Sequence, residues 1–172
     1  MNVRYLNAVA RDVKNGKIAL PELDLATDSD YTYVWALVDS GAGANVAKKN
    51  AFPLSEPVDA PEISLTTAKE EQLPHSGAHR VTAYARDGRS TERTFYAANV
   101  ELPVLAISEL SREGRDGSEV RLRQKAGIFR DLATGKTQPI IKRRGVYCMK
   151  MFVRKNNVGT DGTSGFARPV QR

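Results

Sequence analysis

The 172-residue chain has one cysteine, Cys148, and two histidines, His75 and His79. A single cysteine excludes an intrachain disulfide, and the scarcity fits a reducing compartment. The cluster of Cys and His residues that a structural zinc site requires is missing as well. Ser76 and Gly77 argue against a helix that would bring the two imidazoles together. We therefore expect two exposed loop histidines, and neither a metal nor another cofactor.

Long hydrophobic runs are also missing. No stretch of 18 apolar residues occurs, which argues against a transmembrane helix. Residues 1–6 lack the apolar segment of a signal peptide. No Gly-Lys-Ser/Thr follows the glycines near residue 41, which excludes a phosphate-binding loop there. These absences predict an intracellular, cytoplasmic protein without membrane contact.

Acidic residues are scarce in the C-terminal third. Residues 1–106 carry 11 Lys/Arg and 14 Asp/Glu, a net of −3, whereas residues 107–172 carry 15 and 6, a net of +9. Such a segment can contact nucleic acid or an acidic partner surface. The alternative is a solvated strand face, which the lack of aromatic residues interleaved with these charges favours. For Lys142-Arg143-Arg144 the corresponding alternative is a hairpin edge protected from aggregation.

The chain is long enough for one domain, and 41% of its residues are hydrophobic. Short alternating or β-branched runs predict about eight strands, at residues 17–21, 31–38, 62–67, 79–85, 93–100, 119–124, 127–132 and 145–153. Asp87-Gly88 predicts a hairpin turn. One short helix is expected from Pro103 to Gly114, and one helical turn within residues 45–52. The pattern predicts a mainly β domain, a barrel or a sandwich, at residues 19–155, between a lead-in (1–18) and a flexible tail (156–172).

An acidic residue ends the most apolar of these strands. Residues 33–38 run directly into Asp39-Ser40-Gly41, and further small residues follow. A carboxylate in an apolar setting costs free energy unless it is paired, hydrogen-bonded or protonated, so catalysis is one interpretation. The other is an acidic turn that closes a strand, because Asp, Ser and Gly are common turn formers. Composition alone does not decide between them.

Residues 38–42, Val-Asp-Ser-Gly-Ala, resemble the active-site signature of retropepsin-like aspartic proteases. A second stretch, residues 96–153, resembles the corresponding part of copia-type retrotransposon polyproteins. Its matching residues are Leu102-Pro103-Val104-Leu105, Ser108, Leu110, Gly114, Asp131, Thr134-Gly135 and Arg144-Gly145-Val146-Tyr147. The resemblance covers roughly residues 31–153.

The resemblance implies a closed acid-protease barrel with one or two short helices and an aspartic endopeptidase activity. In such enzymes two aspartates share one proton and activate a water. Asp116-Gly117-Ser118 follows an arginine, and Asp161-Gly162-Thr163 lies in a polar tail, so neither supplies a second catalytic carboxylate. The implied enzyme is therefore a homodimer in which each protomer contributes Asp39.

Further roles follow from the same resemblance. Ser40 would hold the carboxylate from outside, Gly41 would let two active-site loops meet, and Ala42 and Gly43 would contact an extended polypeptide substrate. A substrate-covering flap would comprise Thr67, Ala68, Lys69 and Glu70.

Two departures from the family pattern favour an alternative. Glu70 stands where the family often has a flap-tip glycine, and Ala106 stands where a glycine is usual. The alternative is a catalytically inactive, retroelement-derived barrel that serves as a protein-binding or assembly module.

Overall fold

The computed structural model describes residues 23–156. The predicted lead-in, the strand predicted at 17–21 and the tail beyond Asn156 lie outside the described residues. A 3-10 helix (Leu25–Thr27) comes first. The strands are β1 (Tyr31–Asp39), β2 (Val46–Ala47), β3 (Glu56–Val58), β4 (His75–Tyr84), β5 (Ser90–Ala98), β6 (Val104–Ala106), β7 (Ser118–Leu122), β8 (Ala126–Asp131), β9 (Thr137–Arg143) and β10 (Val146–Arg154). The α-helix α1 (Ile107–Leu110) follows β6.

All ten strands belong to one sheet, in the order β3-β4-β5-β2-β6-β1-β10-β9-β8-β7. Most neighbours are antiparallel, but β1 pairs with β6 and β2 pairs with β5 in parallel. Strand β10 also pairs with β4, through Phe152 and Tyr84. The prediction of a mainly β domain is confirmed.

Strand β1 has two unlike faces. Its even-numbered residues Ala36 and Val38 lie in the main hydrophobic core, with Leu105, Met149, Met151 and other buried side chains of β4, β5, β8, β9 and β10. Its odd-numbered residues point to the other side, because side chains alternate along a strand. Tyr33 on that side is 47% exposed. The strand predicted at 31–38 is therefore buried on one face only.

The hairpin predicted around Asp87-Gly88 is present as β4 and β5, and Gly88 turns with φ +88°. The strands predicted at 119–124, 127–132 and 145–153 correspond to β7, β8 and β10 within one or two residues. No helix in residues 23–156 combines the length and apolar character that crossing a bilayer requires.

Four local predictions were wrong. Residues 45–52 contain β2 rather than a helical turn, because Val46 and Ala47 pair with β5 and β6. The helix starts at Ile107 instead of Pro103, since residues 104–106 pair with β1. It ends at Leu110, four residues before Gly114. Residues 62–67 contribute a single bridge, Thr66 with Gln72. In addition, β3 and β9 were not predicted at all.

Candidate functional site

Asp39 lies at the point where two parallel strands end together. It is the last residue of β1 and is paired with Ala106, the last residue of β6. From there one chain enters the loop of residues 40–45, and the other enters α1 directly. The parallel pairing therefore fixes the backbone of Asp39 against the strand that precedes the helix.

The Asp39 carboxylate bonds to its own turn. Its Oδ1 accepts a hydrogen bond from the backbone N–H of Gly41 at 2.8 Å. Asp39 is partly exposed, and Ser40 and Gly41 are exposed. Between residues 23 and 156 no hydrogen bond joins Ser40 to Asp39. One face of the carboxylate is thus held, while the charge stays accessible to water or to a second molecule.

Asn45 closes the other end of this loop and is buried, with 4% of its surface exposed. Its side-chain Oδ1 accepts from the backbone N–H of Ala106 at 2.9 Å, and its own carbonyl accepts from the N–H of Tyr96 at 2.9 Å. A buried amide satisfied in this way fixes the loop to β6 and β5. The loop of small residues 40–43, in which Ser40, Gly41 and Gly43 are exposed, is therefore fixed at both of its ends.

The predicted flap forms a tight hairpin. The N–H of Leu73 bonds to the carbonyl of Leu65 at 2.8 Å, and the N–H of Thr67 bonds to the carbonyl of Glu71 at 2.9 Å. Thr67 Oγ1 accepts from the N–H groups of Lys69 and Glu71. Glu70 has φ +61°, the left-handed region that glycine adopts most easily. The chain thus makes at Glu70 the turn for which the family resemblance suggests a glycine.

The flap hairpin and the Asp39 loop share one hydrophobic cluster. Leu65 and Leu73, at the base of the hairpin, belong to this cluster. So do Ala44, near the end of the Asp39 loop, and Val46, the first residue of β2. Tyr96 is part of the same cluster, and its hydroxyl donates to the carbonyl of Pro61 at 2.8 Å. A displacement of either segment therefore disturbs the packing of the other.

Residues of the second sequence resemblance build turns. Asp131 Oδ1 accepts from the N–H groups of Ala133 and Thr134, at 2.8 and 3.2 Å, in the connection from β8 to β9. Gly135 completes this turn with φ +70°. A Cβ added to Gly114 would lie 3.4 Å from the Asp131 carboxylate. The Asp-x-x-Thr-Gly pattern is thereby explained as a turn, separate from the Asp39 loop.

A buried ion pair lies beside Gly114. Arg93 Nε and Nη2 donate to the two carboxylate oxygens of Glu113 at 2.6 and 2.9 Å, and the Arg93 side chain is 3% exposed. The pair lines a cleft of about 290 Å³. Two parallel charge-assisted hydrogen bonds satisfy both groups, so the pair joins β5 to the segment after α1.

The prediction of exposed loop histidines was wrong. His75 and His79 lie on β4 and are half-buried. His75 Nε2 lies 2.9 Å from the carbonyl oxygen of Ile63. An irregularity in the β4–β5 register between His75 and Ala78 accommodates Gly77, with φ +102°. Within residues 23–156, no three His, Cys, Asp or Glu side chains are grouped so as to hold a metal.

Cys148 is buried in β10, as is its neighbour Met149. Burial raises the pKa of its thiol. Sequence reasoning overlooked Asn45 and the Arg93–Glu113 pair. Neither has a local signal, because each depends on a partner 20 or 61 residues away in the chain.

The site thus consists of the partly exposed Asp39 carboxylate at the start of a fixed loop of small residues. The hairpin of residues 65–73 packs on the hydrophobic cluster that also contains Ala44 of this loop. Comparisons with known proteins do not extend this description, because no protein-family model, no curated protein and no solved structure matches the chain.

Proposed function

We propose that this chain is a retropepsin-like aspartic endopeptidase that acts as a homodimer. The observation that carries the proposal is the placement of Asp39 at the end of β1, beside Ala106 of β6 and before an exposed loop of small residues. The additional pairing between β10 and β4 supports the finer proposal that the sheet closes into a barrel.

The proposed chemistry needs two carboxylates. With one Asp39 from each protomer near a two-fold axis, the pair shares one proton, since two like charges in contact cannot both ionise. The unprotonated carboxylate takes a proton from a water, and the resulting hydroxide attacks the peptide carbonyl carbon. The protonated carboxylate gives its proton to the carbonyl oxygen, which yields a tetrahedral gem-diol. The carboxyl that took the proton of the water then passes it to the amide nitrogen, the C–N bond breaks and the amine leaves. The other carboxylate takes a proton from a gem-diol hydroxyl as the carboxylic acid product forms, so the pair again shares one proton. The Gly41 N–H, at 2.8 Å from Oδ1, orients each carboxylate for this exchange.

The loop composition suits such a dimer. Gly41 and Gly43 are exposed and present no side chain, so a second loop can approach closely. Ser40 is exposed and directly follows Asp39, so its hydroxyl is accessible to a partner loop across the proposed interface. An extended substrate would lie between Ala42, Gly43 and the hairpin of Thr67, Ala68, Lys69 and Glu70, bound through backbone hydrogen bonds.

The test is peptide-library cleavage at acidic and neutral pH with the full chain and two variants. Asp39→Asn removes the proposed acid–base group, and Asp116→Asn changes an exposed aspartate in the similar sequence Asp-Gly-Ser. We expect cleavage by wild type and Asp116→Asn and none by Asp39→Asn, together with a dimer in sedimentation velocity. Equal cleavage by wild type and Asp39→Asn, or cleavage by a strictly monomeric protein, would contradict the proposal.

A second candidate is the catalytically inactive binding or assembly module. It is favoured by the hairpin tip, where Glu70 occupies the left-handed conformation and Lys69, Glu70 and Glu71 are all exposed. This module would bind extended peptides equally well as wild type and as Asp39→Asn, and neither protein would cleave them.

A further inference from the structure

One outer surface of the sheet combines aromatic rings with cations from distant parts of the chain. We define the aromatic–cationic face by six residues: Tyr31, Tyr33 and Trp35 of β1, Arg143 of β9, and Lys150 and Arg154 of β10. The register places Tyr31 opposite Arg154 and Trp35 opposite Lys150. Because side chains alternate with a period of two, the odd residues of β1 and the even residues of β10 share this side. Phe152 and Cys148 lie on it as well but are buried, and the Phe152 ring packs against Tyr33.

Cations and rings alternate across the face. Lys150 Nζ lies 4.3 Å from the centre of the Tyr33 ring and 5.4 Å from that of Trp35. Arg143 Cζ lies 4.6 Å from the Trp35 ring, and Arg154 Cζ lies 5.6 Å from the Tyr31 ring. In the part of the chain that the structure describes, Arg143, Lys150 and Arg154 form no salt bridge with a carboxylate. Their charges therefore remain available to an anionic partner.

A cleft of about 680 Å³ adjoins this face and shares Trp35 and Lys150 with it. Its size is that of a small-molecule site. Two carboxylates also line it, but Asp24 accepts two hydrogen bonds from Arg86 and Asp87 accepts from Arg89. The Arg86 guanidinium lowers the pKa of Asp24 to about 2. These acids are thus already paired with cations, so they add little net negative charge.

Apolar exposure is concentrated around the same face. Tyr33, Ile141 and Val146 are 47%, 42% and 41% exposed, and all three lie on β1, β9 or β10. An exposed apolar patch with charged residues around it commonly marks an interaction surface. The face therefore offers both stacking area and positive charge.

The chemistry favours single-stranded nucleic acid over other anionic partners. Aromatic rings beside cations stack bases while the cations hold phosphates, and this recognition tolerates any base sequence. An acidic peptide would use the cations but leave the rings without a planar partner. A duplex keeps its bases stacked inside, out of reach of rings on a sheet surface. The net charge of +9 on residues 107–172 adds attraction for any nucleic acid.

We propose that the aromatic–cationic face binds single-stranded nucleic acid, with bases stacked on Tyr33 and Trp35 and phosphates held by Arg143, Lys150 and Arg154. Side chains on one face of a strand repeat every ~6.7 Å. This spacing is about two steps of a strand that rises 3.4 Å per nucleotide. The centres of the Tyr33 and Trp35 rings lie 6.1 Å apart with their planes at 83° to each other, so each ring engages a separate base that is unstacked from its neighbours.

Trp35 provides a direct readout because it is the only tryptophan in the chain. The full-length protein is titrated with 12-nucleotide oligo(dT) and oligo(rU), followed by Trp35 emission and by anisotropy of labelled oligonucleotide, at two salt concentrations. We expect quenching of Trp35 by both probes and weaker binding at higher salt. A 12-base-pair duplex and poly-glutamate should bind more weakly and leave the emission unchanged.

Two variants test the face itself. Tyr33→Ala removes one exposed ring and should weaken oligo(dT) binding by about 5-fold to about 100-fold, the value of one base stack. Lys150→Gln should weaken binding and reduce the salt slope by about 0.7. The control Arg112→Gln removes an exposed cation that is not part of the face and that contacts Glu109, and it should change neither.

Circular dichroism and thermal unfolding of each variant establish that a loss of binding is not a loss of folding. The proposal is overturned if Trp35 emission is flat, if poly-glutamate or duplex binds as tightly as oligo(dT), or if Tyr33→Ala binds like wild type. It does not rest on protease activity: Asp39→Asn should bind oligonucleotides with unchanged affinity, whatever it does to cleavage.

Discussion

At the scale of single residues, Asn45 is a buried polar group that contacts two strands with different atoms. Its side chain accepts from Ala106, and its carbonyl accepts from Tyr96. The first of these bonds fixes the residue that is paired with Asp39. The position of the candidate catalytic carboxylate therefore depends on an amide that is not part of the Asp-Ser-Gly signature.

We expect Asn45→Ala to lower the free energy of unfolding by about 1–3 kcal/mol, because the Ala106 N–H loses its acceptor in a buried position. Urea unfolding followed by circular dichroism measures the change. Asn50→Ala, an exposed asparagine five residues away, is the control and should differ from wild type by less than about 0.5 kcal/mol. Similar values for both variants would mean that the bond from Asn45 contributes nothing to stability.

At the scale of elements, the Arg93–Glu113 pair fastens the β4–β5 hairpin to the segment between α1 and β7. Arg93 comes from β5, and Glu113 lies three residues after the helix ends. Ser118 Oγ adds a second connection, since it donates to the carbonyl of Glu113 at 2.7 Å. Glu113, just after the short helix, is therefore bonded both to a residue that precedes the helix in the chain, Arg93, and to one that follows it, Ser118.

Arg93→Met leaves the Glu113 carboxylate, which is only 14% exposed, without its partner and should lower the free energy of unfolding by about 3–5 kcal/mol. Replacing both residues, in Arg93→Met/Glu113→Leu, should restore most of that loss, because no uncompensated charge remains. Arg112→Met breaks the exposed contact with Glu109 and should cost less than about 1 kcal/mol. Denaturant melts of all three variants provide the comparison, and a double variant as unstable as the single one would refute this account.

The sequence patterns predicted those strands whose formation is signalled by residues within the strand itself or in the adjoining turn. Alternation and the Asp87-Gly88 turn were sufficient for β4 and β5, and the apolar run was sufficient for β1. Strand β9 was missed because Pro139 and the charges of residues 142–144 lower its strand propensity, while antiparallel pairing with β8 and β10 determines its structure. Val46-Ala47 was interpreted as helical because nothing in its composition reveals parallel pairing with β5.

The candidate site was only partly predictable for the same reason. Asp39, its loop and the hairpin of residues 67–70 could be identified from the resemblance. The aromatic–cationic face could not, because Tyr33 and Trp35 are more than 100 residues from Arg143 and Lys150. The basic third has only four aromatic residues of its own, and the rings beside Arg143, Lys150 and Arg154 come from β1, which the sheet places next to β10.

At the scale of the whole molecule, the proposed homodimer requires a residue without a side chain at position 41, whereas the single protomer does not. A Cβ at this position would lie 3.4 Å from Asp39 Oδ1, an ordinary contact distance, and its φ is not in the left-handed region. A single protomer therefore has room for a methyl group here. Two such loops that meet at a two-fold axis would have no room for this methyl group.

We accordingly expect Gly41→Ala to leave the unfolding free energy of the monomer within about 0.5 kcal/mol of wild type, while it weakens self-association and cleavage. Sedimentation velocity over a concentration series measures the first effect, and peptide cleavage measures the second. Gly135→Ala, at a left-handed turn far from the loop, should behave in the opposite way, with lower stability and unchanged association. Unchanged association in Gly41→Ala would argue against loops that meet.

The burial of Cys148 provides a way to measure how often the structure around Asp39 opens. It is the only thiol of the chain, it is 4% exposed, and it is paired with Leu37, two residues before Asp39. Because the side chain is covered in the native fold, a thiol reagent can react with it only when the structure around β10 opens. Labelling measured by mass spectrometry under native conditions thus gives the opening frequency of the strand that carries the candidate catalytic aspartate, in the unmodified protein.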